Sequence, residues 1–404
     1  MSTSDRQQDI LRIISQLDIT PTMYQNAVSK YKRIAIFLEN NGIDADMYPQ
    51  GSFALGTIVR PYVKDPDAAY DLDFVCQLRI TRDDLSAAAV RRKIEDVLSS
   101  SDLYGGKLTV YDKCLTIEYA DVGGVGFSID IVPAADENVD NKTRLRSKSK
   151  NPRLIDTAIA IPKHCDKNYN WITNNPKGYR AWFESINAPF QAFSRAQYRQ
   201  RLFEENHSVF ASVEDIPGEL DRSSMQRVIQ ILKHHRDMYY SKLRNGDDIK
   251  PISAIINTIV ARISSSFSAN LSVFDLLNAV LGEFATYAER QTLTEENFAA
   301  RHQGKTVIDR RSGKWTIENP ANPEDNLADQ WNQDPSIPQH FFRWTKAVRE
   351  DLVDSIHLGD EDFRARVENA FGQRAVANAW GTKYNKLAPR PVSPASPAKP
   401  WCAR

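Results

Sequence analysis

The sequence predicts a mixed α/β N-terminal half feeding a helical C-terminal half. Two observations carry this prediction. Strand-like runs broken by turn residues are confined to the stretch before about residue 133. From about Ala188 onward the apolar residues recur at helical spacing. At 404 residues the chain can hold two domains and bury a sizeable core. No internal repeat is visible.

Taken in order, residues 5–18 place Ile10, Leu11, Ile13, Ile14 and Leu17 on one helical stripe. Thr20-Pro21-Thr22 punctuates, and a second helix over 22–40 ends at Asn40-Asn41-Gly42. Residues 46–49 are a short connection or strand into a Gly51-Ser52 turn. A strand then carries Asp71, Leu72, Asp73 and Phe74, and Asp83-Asp84 opens a helix to about Leu98. Past the Gly105-Gly106 turn come three strand-like runs at 107–111, 114–119 and 126–133. Residues 140–153 carry six basic side chains against one acid, with no apolar periodicity. They read as a solvated loop, or as a basic flap over phosphates or nucleic acid. Helices are expected at 189–205, 224–243, 251–263, 273–290, 338–355 and about 360–380. The expected division is a core over 1–187, a helical domain over 188–387 and a tail over 388–404. The tail is rich in Pro, Ala and Ser and cannot repay the entropy of ordering.

Composition excludes several classes. Apolar content of 41% and charged content of 26% are ordinary for a soluble globular protein. With no run of 18 apolar residues and no signal-like N-terminus, a cytoplasmic location is expected, without membrane contact. Four scattered cysteines argue against a zinc site or a disulfide framework. Lys plus Arg equals Asp plus Glu at 52 each, which does not favour a general nucleic-acid binder.

The chemistry centres on residues 51–78. Carboxylates two apart on a strand share a face, here Asp71 and Asp73, with Leu72 and Phe74 on the other. Paired carboxylates repel unless a cation lies between them. A Gly-Ser turn at a helix start offers N–H groups and a hydroxyl to a phosphate. Together they suggest a metal-bound nucleoside triphosphate. Asp130 interrupts the apolar strand Phe127, Ile129, Ile131. It is either an edge position open to water or a third carboxylate brought beside the pair by sheet pairing. In that case Asp71, Asp73 and Asp130 hold two magnesium ions, Asp130 serving the one nearer the attacking hydroxyl. Gly51 and Ser52 hold the β/γ phosphates. Lys233 either pairs with Asp237 on an exposed helix face or reaches the triphosphate from the second domain. Ser253 either caps a helix or donates to a phosphate.

Six segments together resemble the cyclic-GMP–AMP-synthase/oligoadenylate-synthetase branch of the polymerase-β-like nucleotidyltransferases, and most of all its bacterial members, the CD-NTases. They are Gly51-Ser52-Phe53-Ala54-Leu55-Gly56-Thr57, Tyr70-Asp71-Leu72-Asp73, residues 128–133 (SIDIVP), 226–237 (QRVIQILKHHRD), 250–253 (KPIS) and 317–331 (IENPANPEDNLADQW). The resemblance spans about residues 22–345. It implies an α/β (α+β) polymerase-β-like nucleotidyltransferase core, a helical C-terminal domain and a cleft between them. It implies two Mg2+ (or Mn2+) ions, nucleoside triphosphates (ATP among them) as donor and acceptor, and a cyclic di- or trinucleotide second messenger in anti-phage signalling. Carried over by motif, Ser52, Asp71, Asp73, Asp130, Lys233 and Ser253 are the site residues. The C-terminus is a possible attachment point for conjugation or regulatory proteins. Activation by long double-stranded DNA is not expected, because no zinc-binding cysteine spacing is present. The competing readings are a terminal RNA nucleotidyltransferase that holds its acceptor with 140–153, and a nucleotide-binding module without catalysis. The identity of the bases is not fixed by any motif.

Overall fold

The computed structural model describes residues 2–59, 70–119, 127–166, 168–205 and 221–385; the side chains of 70–71 and 198–205 are not among those described. The expected tail over 388–404 lies outside this range. The first helix, α1 (Thr3–Gln16), starts at a capping box in which Ser2 and Asp5 satisfy each other's backbone N–H. Thr20 caps the second, α2 (Pro21–Asn40), with Pro21 in the first turn.

Strand β1 (Ala45–Pro49) leads into a single helical turn, α3 (Gly51–Ala54). Then come β2 (Tyr70–Thr81), α4 (Ala87–Ser99), β3 (Leu108–Val110), β4 (Leu115–Tyr119) and β5 (Phe127–Asp136). These strands form one sheet in the order β1-β2-β5-β4-β3. Only β2 and β5 run parallel; their neighbours are antiparallel. Alternation along β2 and β5 buries Leu72, Phe74, Cys76, Ile129 and Ile131 under α2 and α4. Tyr31 of α2 stacks on Phe74 with ring centroids 4.0 Å apart. The opposite face of the parallel pair buries Val75, Val132 and Ala134 in a smaller cluster with Ile159 and Ile161.

The basic stretch is a helix, α5 (Val139–Lys148), capped by Asn138, where the sequence reads as a loop. Its periodicity is hidden because only Leu145 is buried. Strands β6 (Ile159–Cys165) and β7 (Asn168–Asn174) extend the sheet from the end of β5. The sequence reading missed both, since β7 is largely polar.

Next, α6 (Pro176–Glu205) runs for 30 residues through Pro189. The 187/188 division expected from sequence falls inside it. The remaining elements are α7 (Ser224–Tyr240), α8 (Gly246–Ile249), α9 (Ser253–Ser264), α10 (Val273–Ala288) and α11 (Glu295–Arg301). Hairpin β8 (Asp309–Arg311) and β9 (Lys314–Thr316) is followed by hairpin β10 (Glu318–Asn319) and β11 (Asn322–Asn326). The chain closes with α12 (Asp329–Gln333), α13 (Ser336–Val348), α14 (Asp360–Phe371) and α15 (Gln373–Trp380). The helix expected over 360–380 is broken at Gly372, whose φ is 85°. One large core spans this half and takes in Ile10, Ile13 and Ile14 of α1. Thus α1 packs with the C-terminal helices: Arg6 donates to the Ile356 carbonyl at 2.9 Å, and Trp380 Nε1 to the Asp9 carbonyl at 3.0 Å.

Candidate active site

The parallel register of β2 and β5 sets Asp73 directly opposite Asp130, and Asp71 opposite Ser128. Leu72 and Ile129, the alternate pair, are fully buried in the core. The sheet therefore brings together the second and third carboxylates read from the sequence. The backbone of Asp71 lies two positions along the same strand, and its side chain falls outside the described residues. Asp130 is held from behind, accepting from Thr116 Oγ1 at 2.6 Å across the β4–β5 pair. The Cys114 thiol lies 3.8 Å from its other oxygen, and burial together with Asp130 pushes that thiol up to about 11.

The Gly51-Ser52 turn is pinned to the same strand. The Gln50 amide donates to the Asp73 carbonyl at 2.8 Å. Gly51 adopts φ 61°, and a Cβ built there would overlap Asp73 Oδ2 and lie 3.1 Å from Cγ. Glycine is thus required twice, for the left-handed conformation and for the close approach of backbone to carboxylate.

From the helical half, α7 clamps the loop that follows. Gln226 Nε2 donates to the Leu55 carbonyl at 2.9 Å, Gln230 Nε2 to Ile58 at 2.9 Å, and Lys233 Nζ to Thr57 at 3.0 Å. Positions 226, 230 and 233 follow one helix face. Lys233 is neither an exposed i,i+4 partner nor a cleft-lining residue; it is 3% exposed behind the turn. Burial, with Arg236 adding to it, pulls its ammonium down to about 7, against the opposing pull of Asp237 and Asp73. The spacing 226/230/233 was visible in the sequence. Its partners were not, because they are main-chain carbonyls about 170 residues away.

A cleft of about 640 Å³ opens between the halves. Gln50, Gly51, Ser52 and Asp73 form one wall; Ser253, Ala254 and Asn257 of α9 and Asn319, Asp325 and Asp329 of the C-terminal segment form the other. Ser253 is the first residue of α9 rather than its cap, and its Oγ accepts from Arg236 Nη1 at 3.2 Å. Lys113, absent from the sequence reading, adds a cation to the rim. The Asn-rich segment closes the far wall by using its side chains as clips. Asn326 Oδ1 accepts from Ile317 and Ala328 amides at 2.9 and 3.1 Å. Asn175 Nδ2 donates to Ala321 at 3.0 Å, tying hairpin β10–β11 to the head of α6. Helix α5 reinforces this closure through Arg144 and Lys148, which both pair with Glu324, at 3.0 and 2.6 Å.

Two carboxylates at one register position, walled by a backbone turn, fit a hard divalent cation better than any other ligand class. Among the described residues no group of three His, Cys, Asp or Glu side chains forms a metal cluster, and the side chain of Asp71 is not one of those described.

Residues 45–132, from β1 through most of β5, match the family described as cyclic GMP-AMP synthase DncV-like, nucleotidyltransferase domain. Residues 45–132 are thus similar to a DncV-like nucleotidyltransferase domain. The match covers the Gly51-Ser52 turn and all three acids. A c-di-GMP synthase of Roseivirga ehrenbergii is 21% identical over 350 residues, 85% of this chain and 78% of that one. The likeness of fold extends beyond the matched residues. The Bradyrhizobium diazoefficiens CD-NTase CdnG, solved in complex with GTP, superposes with a TM-score of 0.66 at 20% identity, covering 93% of this chain and 98% of that one. The Escherichia coli MS115-1 CdnC:HORMA-deltaN complex gives 0.57 at 13% identity, covering 91% and 97%. No helix among the described residues is long and apolar enough to cross a membrane.

Proposed function

We propose that this protein joins nucleoside triphosphates into a cyclic oligonucleotide second messenger in anti-phage signalling, releasing pyrophosphate. The observation that carries the reading is the Asp73–Asp130 register beside the Gly51-Ser52 turn, in a cleft with room for nucleotides. Asp71, Asp73 and Asp130 would hold two Mg2+ or Mn2+ ions, which when bound neutralise triphosphate charge and ease deprotonation of the attacking hydroxyl. Ser52 and the turn orient the β/γ phosphates. Ser253, held by Arg236, faces them from the other wall. A ribose hydroxyl oxygen then forms a bond to the α-phosphorus while the α–β bridging P–O bond breaks. The hydroxyl proton passes to Asp130 or water, and pyrophosphate leaves. Lys233 serves by holding the Thr57 carbonyl and so the shape of the turn. A second transfer in the same cleft closes the ring. The relatives' printed names, a c-di-GMP synthase and a GTP complex, favour guanine nucleotides among the substrates. The HORMA chain in the CdnC complex makes a HORMA-type protein a candidate regulatory partner.

The test is incubation with the four NTPs and Mg2+ or Mn2+, followed by mass spectrometry of phosphatase-resistant product. A product without free ends supports the reading; linear, primer-extended chains alone overturn it. Of the basic side chains that the terminal RNA transferase reading uses, Arg144 and Lys148 pair with Glu324 and Arg146 with Asp156, all on the surface; the same product analysis decides between the two readings.

A further inference from the structure

Helix α9 turns a second residue into the cleft. Asn257 lies four positions after Ser253, so the two share one face, and both line the cleft wall. Asn257 is 3% exposed, and its Oδ1 has no hydrogen-bond partner among the described residues. No other described cleft-lining residue carries such an atom, apart from those whose contacts lie outside these bonds. A buried carboxamide oxygen left unpaired is costly, and natural sequences avoid it unless something else supplies the bond. An apolar side chain would be expected on a helix where Ile255, Ile256, Ile259 and Val260 are already buried.

The chemistry of the missing partner can be narrowed. Oδ1 only accepts, so it needs a donor, which excludes a phosphate oxygen. Asp325 and Asp329, on the same wall as Asn257, disfavour phosphate beside it as well. On the synthase reading the triphosphate lies at Gly51-Ser52 and the sugar of the same nucleotide beyond it. A ribose hydroxyl donates, and so satisfies Oδ1 as the structure places it. We propose that Asn257 binds a ribose hydroxyl of the nucleotide in the cleft, making it a residue that selects ribonucleotides over deoxyribonucleotides. This rests on the synthase reading above for the identity of the ligand class.

The experiment is direct binding of GTP, 2′-deoxy-GTP, 3′-deoxy-GTP and inosine triphosphate to the full-length wild type, Asn257→Ala and Asn257→Asp, with melting curves to confirm folding. In the wild type one of the two deoxy analogues should bind about tenfold more weakly, the effect of one neutral hydrogen bond. That ratio should fall to within about twofold in N257A, whatever the change in absolute affinity. In N257D, which keeps the acceptor, the ratio should persist. The analogue that responds tells the 2′ from the 3′ hydroxyl. An unchanged deoxy ratio in folded N257A overturns the inference, as does loss of discrimination against inosine triphosphate instead. If the wild type binds no nucleotide, the synthase reading falls and this inference with it; binding with an unchanged ratio overturns this inference alone.

Discussion

Gly51→Ala is the sharpest perturbation of the site, because two independent costs can be read from one residue. The first is conformational. Gly51 sits at φ 61°, where an L side chain costs roughly 1–2 kcal/mol. The second is steric. The new methyl would overlap Asp73 Oδ2, and an ordinary contact requires that oxygen to move by about 1 Å. Displacement of this size in a positioned catalytic group costs about 100-fold in rate, or roughly 2.7 kcal/mol of barrier. The residue is exposed to the cleft and its turn is a single helical turn, so the fold should survive with a melting temperature lowered by only a few degrees. The assay is pyrophosphate release at saturating GTP and Mg2+, with Asp73→Asn as the reference for full loss. A folded G51A protein whose kcat stays within about twofold of wild type would refute the claim that the turn fixes the carboxylate.

Three further outcomes are expected. Thr116→Val removes the 2.6 Å donor to Asp130 and should raise the metal concentration for half-maximal activity about 10–100-fold, while Thr116→Ser keeps the wild-type value; equal metal dependence in all three proteins would sink it. Glu137→Gln tests a buried carboxylate for which burial raises the pKa, but bonds from Asn141, Thr173, Arg82 and the Asn138 amide outweigh it and hold the group below the ordinary value. Its stabilisation is full above about pH 4.5 and is lost as pH falls further, so E137Q should cost about 2 kcal/mol at pH 7 and flatten the acid limb of the stability curve. Lys233→Met tests a lysine whose folded value, about 7, lies below its unfolded one near 10.5. Between those values the unfolded chain binds the extra proton, so wild-type stability rises with pH by up to about 1 kcal/mol per unit, and K233M should lose that slope in chemical denaturation.

Local chemistry was legible in the sequence. The Gly51-Ser52 turn, the Asp71-Leu72-Asp73 alternation and the lone Asp130 identify themselves because a carboxylate or a glycine is conspicuous in an apolar strand, whatever surrounds it. The major helices of the second half were legible for a related reason, their spacing being internal to each segment. Segments whose stability comes from elsewhere were not legible. Helix α5 lacks an apolar stripe because it is held by Asn138 and by Glu324 of a distant hairpin. Strand β7 is polar because it pairs with β6 near the edge of the sheet.

By itself, then, the sequence determined which residues could carry metal and phosphate chemistry. The tertiary structure decided which of them meet. Parallel pairing of β2 with β5, made possible by the crossover through α4, β3 and β4, places Asp73 opposite Asp130, 57 positions further along the chain. The roles of Lys233, buried on a main-chain carbonyl, and of Asn257, unpaired in the cleft wall, arise only where α7 and α9 pack against the turn. Burial takes these side chains out of water and so sets what each must bond to, and burial is a property of the packed chain.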